Sequence, residues 1–129
     1  MTNTQFATAR KLLSKTQKEL SYLLATSLKA VHSYEQGWRK IPPHVERQIY
    51  FLLSKKPGAV KNNKACWTIL HCPPEKKTAC PAWEFRAGKM CWFINGTICK
   101  GTPASSWEEK IKLCKRCEVL KQITSQLGR

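Results

Sequence analysis

Apolar positions in the first half of the chain recur at helical spacing. Phe6, Ala9 and Leu13 share one side of a predicted helix over Phe6–Leu13, and Leu20, Leu23 and Leu24 fall at i, i+3 and i+4. Leu28 and Val31 lead by threes to Tyr34, and Val45, Ile49, Leu52 and Leu53 repeat at i, i+4, i+7 and i+8, wide enough to close a small bundle. The punctuation agrees. Thr16 and Glu19 read as a capping box, Ser27 as a cap for the next helix, and Gly37 as its left-handed stop. Ala25, Thr26 and Ser27 separate two short helices within Thr16–Gly37, which predicts a helix-turn-helix. Prolines 42 and 43 restart the chain in the first turn of a helix over Pro43–Lys55. Arg10 lies on the apolar side of the first helix, where a cation needs an anion, and Glu35 near the end of the third helix is the partner expected for it.

The pattern then changes. Pro57 and Gly58 break the helix, and the Lys and Asn residues of KKPGAVKNNK cannot form a core, so a linker is expected over 57–65. All seven cysteines and four of the five tryptophans lie between Cys66 and Cys117. CWTILHC and CWFINGTIC echo one another as a weak internal repeat. Between them, CPPEKKTACPAW reads as a loop, because its prolines disfavour helix and sheet. Asn95-Gly96 between Trp92-Phe93-Ile94 and Thr97-Ile98-Cys99 predicts a hairpin, in whose simplest register Trp92 faces Cys99. Ser106 and Glu109 open a last helix whose Trp107, Ile111 and Cys114 face runs on through Cys117 and Leu120, so Cys114 and Cys117 would project two ligands from one helical turn.

Charge adds a partner to this picture. Twenty-three Lys and Arg oppose eight acids in 129 residues, giving a net charge of +15 and a pI near 9.8, which points to a polyanion and first to nucleic acid. Both parts are basic: twelve basic and three acidic side chains over residues 1–64, eleven and five over 65–129. No apolar run approaches the roughly 20 residues of a membrane span, and Met1 is not followed by a secretory pattern, so a cytoplasmic chain with no membrane partner is expected. Disulfides fit poorly with that compartment and with an odd cysteine count. Metal binding by Cys66, Cys72, Cys80, Cys91, Cys99, Cys114 and Cys117 is expected instead. Zinc is favoured by the knuckle-like spacing and by His71 as an eighth donor; an iron–sulfur cluster is favoured by the odd count, the tryptophans and the Cys-Pro pairs at Cys72 and Cys80. Both stay open. No nucleophile has a base at usable spacing, and no enzyme is expected.

Two stretches resemble known families. LLSKTQKELSYLLATSLKAVHSYEQGWRKIP, with its TQKELS, its YEQG ending and its Arg10–Glu35 pair, resembles the Cro and phage-repressor (XRE-like) helix-turn-helix over about residues 4–56. The resemblance implies a bundle of four or five helices that lays the segment from Ser27 to Gln36 in the major groove of double-stranded DNA. It places Gln17 on the phosphate backbone or a base edge, and Leu28, Lys29, His32 and Ser33 toward the groove. Lys29 would donate to guanine, Ser33 would bond either way, and Leu28 would touch a thymine methyl. Arg39 and Lys40 would hold phosphates. Ala25 stands where most relatives carry glycine, a strain of about 1 kcal/mol. The pieces CW, CPP, CPAW, CW, GTIC and CKRCEV from Cys66 to Val119 resemble the two-CW domain of bacterial signalling proteins, which implies a sensory or regulatory role beside an output domain.

The expected architecture is therefore a mainly α helix-turn-helix bundle over 1–56, a linker over 57–65, a small α+β cysteine-rich metal-binding module with a hairpin and a C-terminal helix over 66–123, and a tail over 124–129. The expected function is a homodimeric, sequence-specific bacterial transcription regulator whose second module senses through a metal or cluster. The alternative is a protein-interaction or antitoxin-like regulator with a structural zinc module.

Overall fold

A computed structural model describes residues 1–56, 65–69, 71, 73–93 and 106–127, and among these every regular element is a helix or a 3-10 turn. The chain divides into two units, residues 1–60 with 125–129 and residues 61–124.

The first unit holds α1 (Asn3–Leu12), α2 (Gln17–Leu23), α3 (Leu28–Gln36) and α4 (Pro43–Lys55). Each helix begins where the sequence supplies a start. Thr2 and Thr16 form reciprocal capping boxes with Gln5 and Glu19, Ser27 Oγ accepts from the Ala30 amide at 3.0 Å, and Pro43 occupies the first turn of α4. The first three helices end alike, in a left-handed residue that lets two amides fold back onto the last carbonyls. At the end of α2, Ala25 N donates to Tyr22 O at 3.2 Å and Thr26 N to Ser21 O at 3.0 Å, with Ala25 at φ 52°. Ser14 at φ 57° and Gly37 at φ 78° do the same for α1 and α3. Of the three, glycine alone adopts that conformation without a Cβ clash.

α3 packs on both α1 and α2, and α1 also meets α4 and the 3-10 turn Ser125–Leu127, whose Leu127 is buried. Phe6 and Tyr34 meet edge to face at 5.6 Å, and Leu20, Val31, Val45 and Ile49 are buried with them in the core of this unit. Buried Glu46 is 2.5 Å from the Met1 amine and also acts on Tyr50, whose hydroxyl burial and the nearby carboxylate push above its ordinary pKa of 10.0.

The second unit holds α5 (Cys66–Ile69), α6 (Pro74–Ala79), α7 (Pro81–Glu84), a 3-10 turn (Cys91–Phe93), α8 (Trp107–Cys114) and α9 (Glu118–Thr124). It departs from the expected α+β module in three places. There is no strand among the described residues: Trp92 and Phe93, expected to open a hairpin, lie in the 3-10 turn, closed by Phe93 N to Met90 O at 2.9 Å. A tight turn lets Trp92 bury its whole indole while its carbonyl accepts from Trp107 Nε1 at 3.2 Å, which a half-exposed strand would not. The rest of the expected hairpin, residues 94–99, lies outside the described residues. Next, the expected loop CPPEKKTACPAW forms α6 and α7, because Pro74 and Pro81 occupy first-turn positions where a missing N–H costs nothing. Finally, the expected single C-terminal helix breaks after Cys114. Arg116 N and Cys117 N bond three residues back, to Leu113 O and Cys114 O, before Lys121 N to Cys117 O restarts the helix as α9. Cys114 therefore ends one helix and Cys117 sits in the turn, not one turn apart on a shared face.

The unit closes by packing α9 on α5 and α8, with Val119, Leu120 and Ile123 buried. Cys66 N donates to Gly88 O at 2.6 Å, and a Cβ at Gly88 would lie 2.5 Å from Cζ3 of Trp67, so only glycine admits this approach.

Candidate functional site

α3 is fixed from beneath before it offers anything outward. Arg10 of α1 donates through Nε to Glu35 Oε1, through Nη2 to Glu35 Oε2 at 3.3 Å, and through Nη1 to the Lys15 carbonyl at 3.0 Å. Gln17 Nε2 of α2 donates to the same Glu35 Oε2 at 2.8 Å. One carboxylate thus joins three helices, and its side chain is only 8% exposed. Burial alone would raise the Glu35 pKa. The hydrogen bonds from Arg10 and Gln17, with the charges of Arg10 and His32, outweigh it and hold the carboxyl below its ordinary value.

Glu35 stands at the edge of the buried side of α3, which carries Ala30, Val31 and Tyr34, and the face turned away from those three is open. Leu28, Lys29, His32 and Gln36 are exposed, in a row set by the 3.6-residue period, with Ser27 exposed at the cap. Past Gly37, Arg39 and Lys40 are exposed, and Arg39 lies over the Tyr34 ring at 5.6 Å. Exposed Trp38 meets the His32 imidazole edge to face at 5.4 Å. Ser27, Leu28, Lys29, His32, Arg39 and Lys40 are thus all exposed, Leu28, Lys29 and His32 along one side of α3 and Arg39 and Lys40 in the segment after it. Two expected groove residues are placed otherwise. Ser33 is 7% exposed and its carbonyl accepts the Trp38 and Arg39 amides, so its hydroxyl is not presented outward. Gln17 is half-buried and one N–H of its amide is engaged by Glu35, leaving the second N–H and the carbonyl oxygen with remaining capacity. Gln36 was not among the sequence candidates, although it lies one turn beyond His32 and the i+4 spacing alone would have found it.

The cysteines form a different kind of site. The Cys91 thiol donates to Cys66, and that bond brings the Cys66 thiol down to about 7, with help from the Trp67 amide and the Lys110 charge against an opposing effect of burial. The Cys91 thiol is pushed up, first because Cys66 holds its proton and then by burial, with Cys66 and Cys114 adding like charge. Lys110 is 5% exposed and acts on both thiols. It stands one helical turn before Cys114, in line with the Trp107–Ile111–Cys114 stripe, so a cation inside an apolar stripe was the available signal and went unread. Cys80 and Cys117 are half-buried, whereas Cys72 and Cys99 lie outside the described residues. Among the described residues no group of three or more His, Cys, Asp or Glu side chains is arranged to hold a metal ion. The described thiols therefore do not by themselves fit a tetrahedral zinc or iron–sulfur donor set.

No described helix is long and apolar enough to cross a membrane. Compared with models of protein families, with curated proteins and with solved structures, the chain matches none. Its function is therefore argued from the residues above.

Proposed function

We propose that the chain is a duplex-DNA-binding transcription regulator, with α3 of the first unit as its reading helix and the cysteine-bearing unit as its regulatory part. The observation that carries this reading is the asymmetry of α3. The side of Ala30, Val31 and Tyr34 is buried and is tied at its edge through Glu35 to α1 and α2, while the other side leaves Leu28, Lys29, His32 and Gln36 exposed, with Arg39 and Lys40 exposed just past the helix. An α-helix fits a major groove, and in helix-turn-helix docking the N-terminal residues of the recognition helix contact the base edges. The resemblance of residues 4–56 to the Cro and phage-repressor type supports the same assignment, as does the charge of +15. In this reading Lys29 and His32 address bases, Gln36 extends the row, and Arg39 and Lys40 position the helix on phosphates. Two protomers would read half-sites about one helical turn apart.

Selection of bound duplexes from a random pool tests it. The parent is expected to enrich a two-fold symmetric site, and Lys29→Ala with His32→Ala to lose discrimination at the matching positions by about 1–3 kcal/mol per base contact. Enrichment of no sequence by the folded parent would sink the proposal. A second reading, as a protein-interaction regulator, is favoured by Tyr22, Leu23, Leu28 and Trp38, which are 72%, 48%, 48% and 71% exposed on α2, α3 and the turn after it. A DNA affinity insensitive to salt would decide for that reading, because phosphate contacts release counterions.

A further inference from the structure

The second unit carries its own arrangement of cations, and the first unit's reading helix does not account for it. Residues 65–129 hold eleven basic side chains against five acidic ones. Two of those cations converge on one ring. Lys77, from the last turn of α6, holds its Nζ 4.5 Å from the centroid of Trp83 on α7, and Arg86, just past α7, holds its Cζ 4.8 Å from the same centroid. Cys80 ends α6 and starts α7, so the two helices meet at a one-residue corner that brings Lys77 beside Trp83.

The ring is itself braced. Trp67 of α5 meets Trp83 edge to face at 4.9 Å and 76°, and Trp67 is seated against Gly88, where even a Cβ would intrude to 2.5 Å. Arg86 is held in an unusual backbone state as well. Its N–H donates to Trp83 O at 3.1 Å, the next amide, of Ala87, donates to Ala82 O at 2.7 Å, and φ is 54°, a helix-ending position that favours glycine. The chain tolerates that strain with an exposed arginine whose side chain lies over the Trp83 ring. Among the described residues neither Lys77 nor Arg86 makes an ion pair; Glu75 and Glu84, the acids of these helices, are exposed. A guanidinium stacked on an aromatic face keeps its in-plane N–H donors for a second partner, and a planar fork suits phosphate.

We propose that this corner is a phosphate-binding surface for the backbone of duplex DNA, with Lys77 and Arg86 as the contacting residues and Trp83 as the platform that pre-orders them. The inference adds a second contact region to the DNA-binding function proposed above and rests on it. Stacking lowers the side-chain entropy that two free cations would lose on meeting a phosphate. The surface reads no sequence, since phosphates carry none.

The experiment uses the full chain and a labelled duplex of arbitrary sequence, with fluorescence anisotropy recorded over a salt series. Arg86→Gly with Lys77→Gln is expected to lower affinity about tenfold at low salt and to reduce the slope of log K against log salt by about 2, one unit per lost phosphate contact. Arg86→Gly also places glycine where the backbone favours it, so a loss of binding without a loss of melting temperature separates a lost contact from a lost fold. Arg86→Lys with Lys77→Arg keeps both charges and should keep the slope. An unchanged slope in the folded Gly/Gln variant overturns this surface. If Lys40→Ala still reduces the slope in that case, the first unit's assignment survives. A parent with no salt-dependent duplex affinity overturns both. Tighter parental binding to single strands than to duplex, lost in the variant, overturns the duplex assignment.

Discussion

Removing Arg10 should cost the first unit more than the loss of its own hydrogen bonds, because of the charge it leaves behind. In Arg10→Met the Glu35 carboxylate, 8% exposed, keeps only the Gln17 amide at 2.8 Å. Deleting one partner of a buried ion pair typically costs about 3–5 kcal/mol, and water reaching the Arg10 side, 20% exposed, brings the expectation here to about 2–3 kcal/mol. Glu35→Leu should cost less, about 1–2 kcal/mol, because Arg10 is the more exposed partner and retains the Lys15 carbonyl at 3.0 Å. The double variant Arg10→Met with Glu35→Leu leaves no stranded charge and should sit near the milder single variant, giving a coupling of about 2 kcal/mol. Amide hydrogen exchange at Leu20 and Val31 in the full chain reads the opening free energy of this unit without requiring both units to unfold together. The pH dependence gives a second check. The fold lowers the Glu35 pKa below 4.5, so its contribution is complete above that value and is lost as pH falls through the lowered folded pKa. Glu35→Leu should remove that part of the acid limb. A coupling under about 0.5 kcal/mol, the range of exposed pairs, would refute the argument that Glu35 is the clamp holding α3.

Three further outcomes follow from other positions. Ala25→Gly relieves a φ of 52° at an exposed residue and should raise the stability of the first unit by about 0.5–1 kcal/mol, read as a melting temperature a few degrees higher. Gly88→Ala should cost the second unit about 1–3 kcal/mol and alter the near-ultraviolet signal of Trp67, whose ring must leave a 2.5 Å overlap; an unchanged spectrum and melting temperature would contradict the packing. Iodoacetamide should alkylate Cys66 with a midpoint near pH 7, and Cys91→Ala, by removing the thiol that donates to it, should move that midpoint toward the ordinary 9.0, as mass spectrometry of the labelled peptide would show.

The first unit was legible because its signals are local. Thr16 with Glu19, Ser27 and Gly37 each act within one turn, and the helix boundaries they set leave little choice about which apolar faces meet. Arg10 and Glu35 are 25 residues apart, yet Arg10 stands out as a charge on an otherwise apolar side and needs an anion, so their pairing was also readable. Ser33 was misplaced by the same route. Its residue type is neutral between surface and core, and the hydrophobic period does not decide a small polar side chain at the edge of a stripe. In the second unit the signals conflict. Pro74 and Pro81 read as breakers in sequence but as helix starts once their position in the turn is known, and Asn-Gly biased residues 92–93 toward strand although Trp92 gains more by complete burial. Tertiary burial overrides local preference most easily where elements are only three to eight residues long, as they are among the described residues of the second unit.

The cysteines show what composition can and cannot establish. Their crowding between Cys66 and Cys117 singles out a thiol-rich region, but spacing assigns partners only when both residues lie on one regular element. Cys114 and Cys117 are three apart and the helix breaks between them, whereas Cys66 and Cys91 are 25 apart and hydrogen-bonded. The partner of Cys66 is set by the Cys66 N–H to Gly88 O bond, which brings the chain just before Cys91's turn up to α5. That bond exists because residue 88 has no side chain, and Gly88 has none because Trp67 occupies the space. The acidity of the Cys66 thiol thus traces back through one glycine to an indole. A change at residue 88 should consequently shift the Cys66 alkylation midpoint as well as the fold; a folded Gly88→Ala variant whose Cys66 midpoint stays near pH 7 would refute this route.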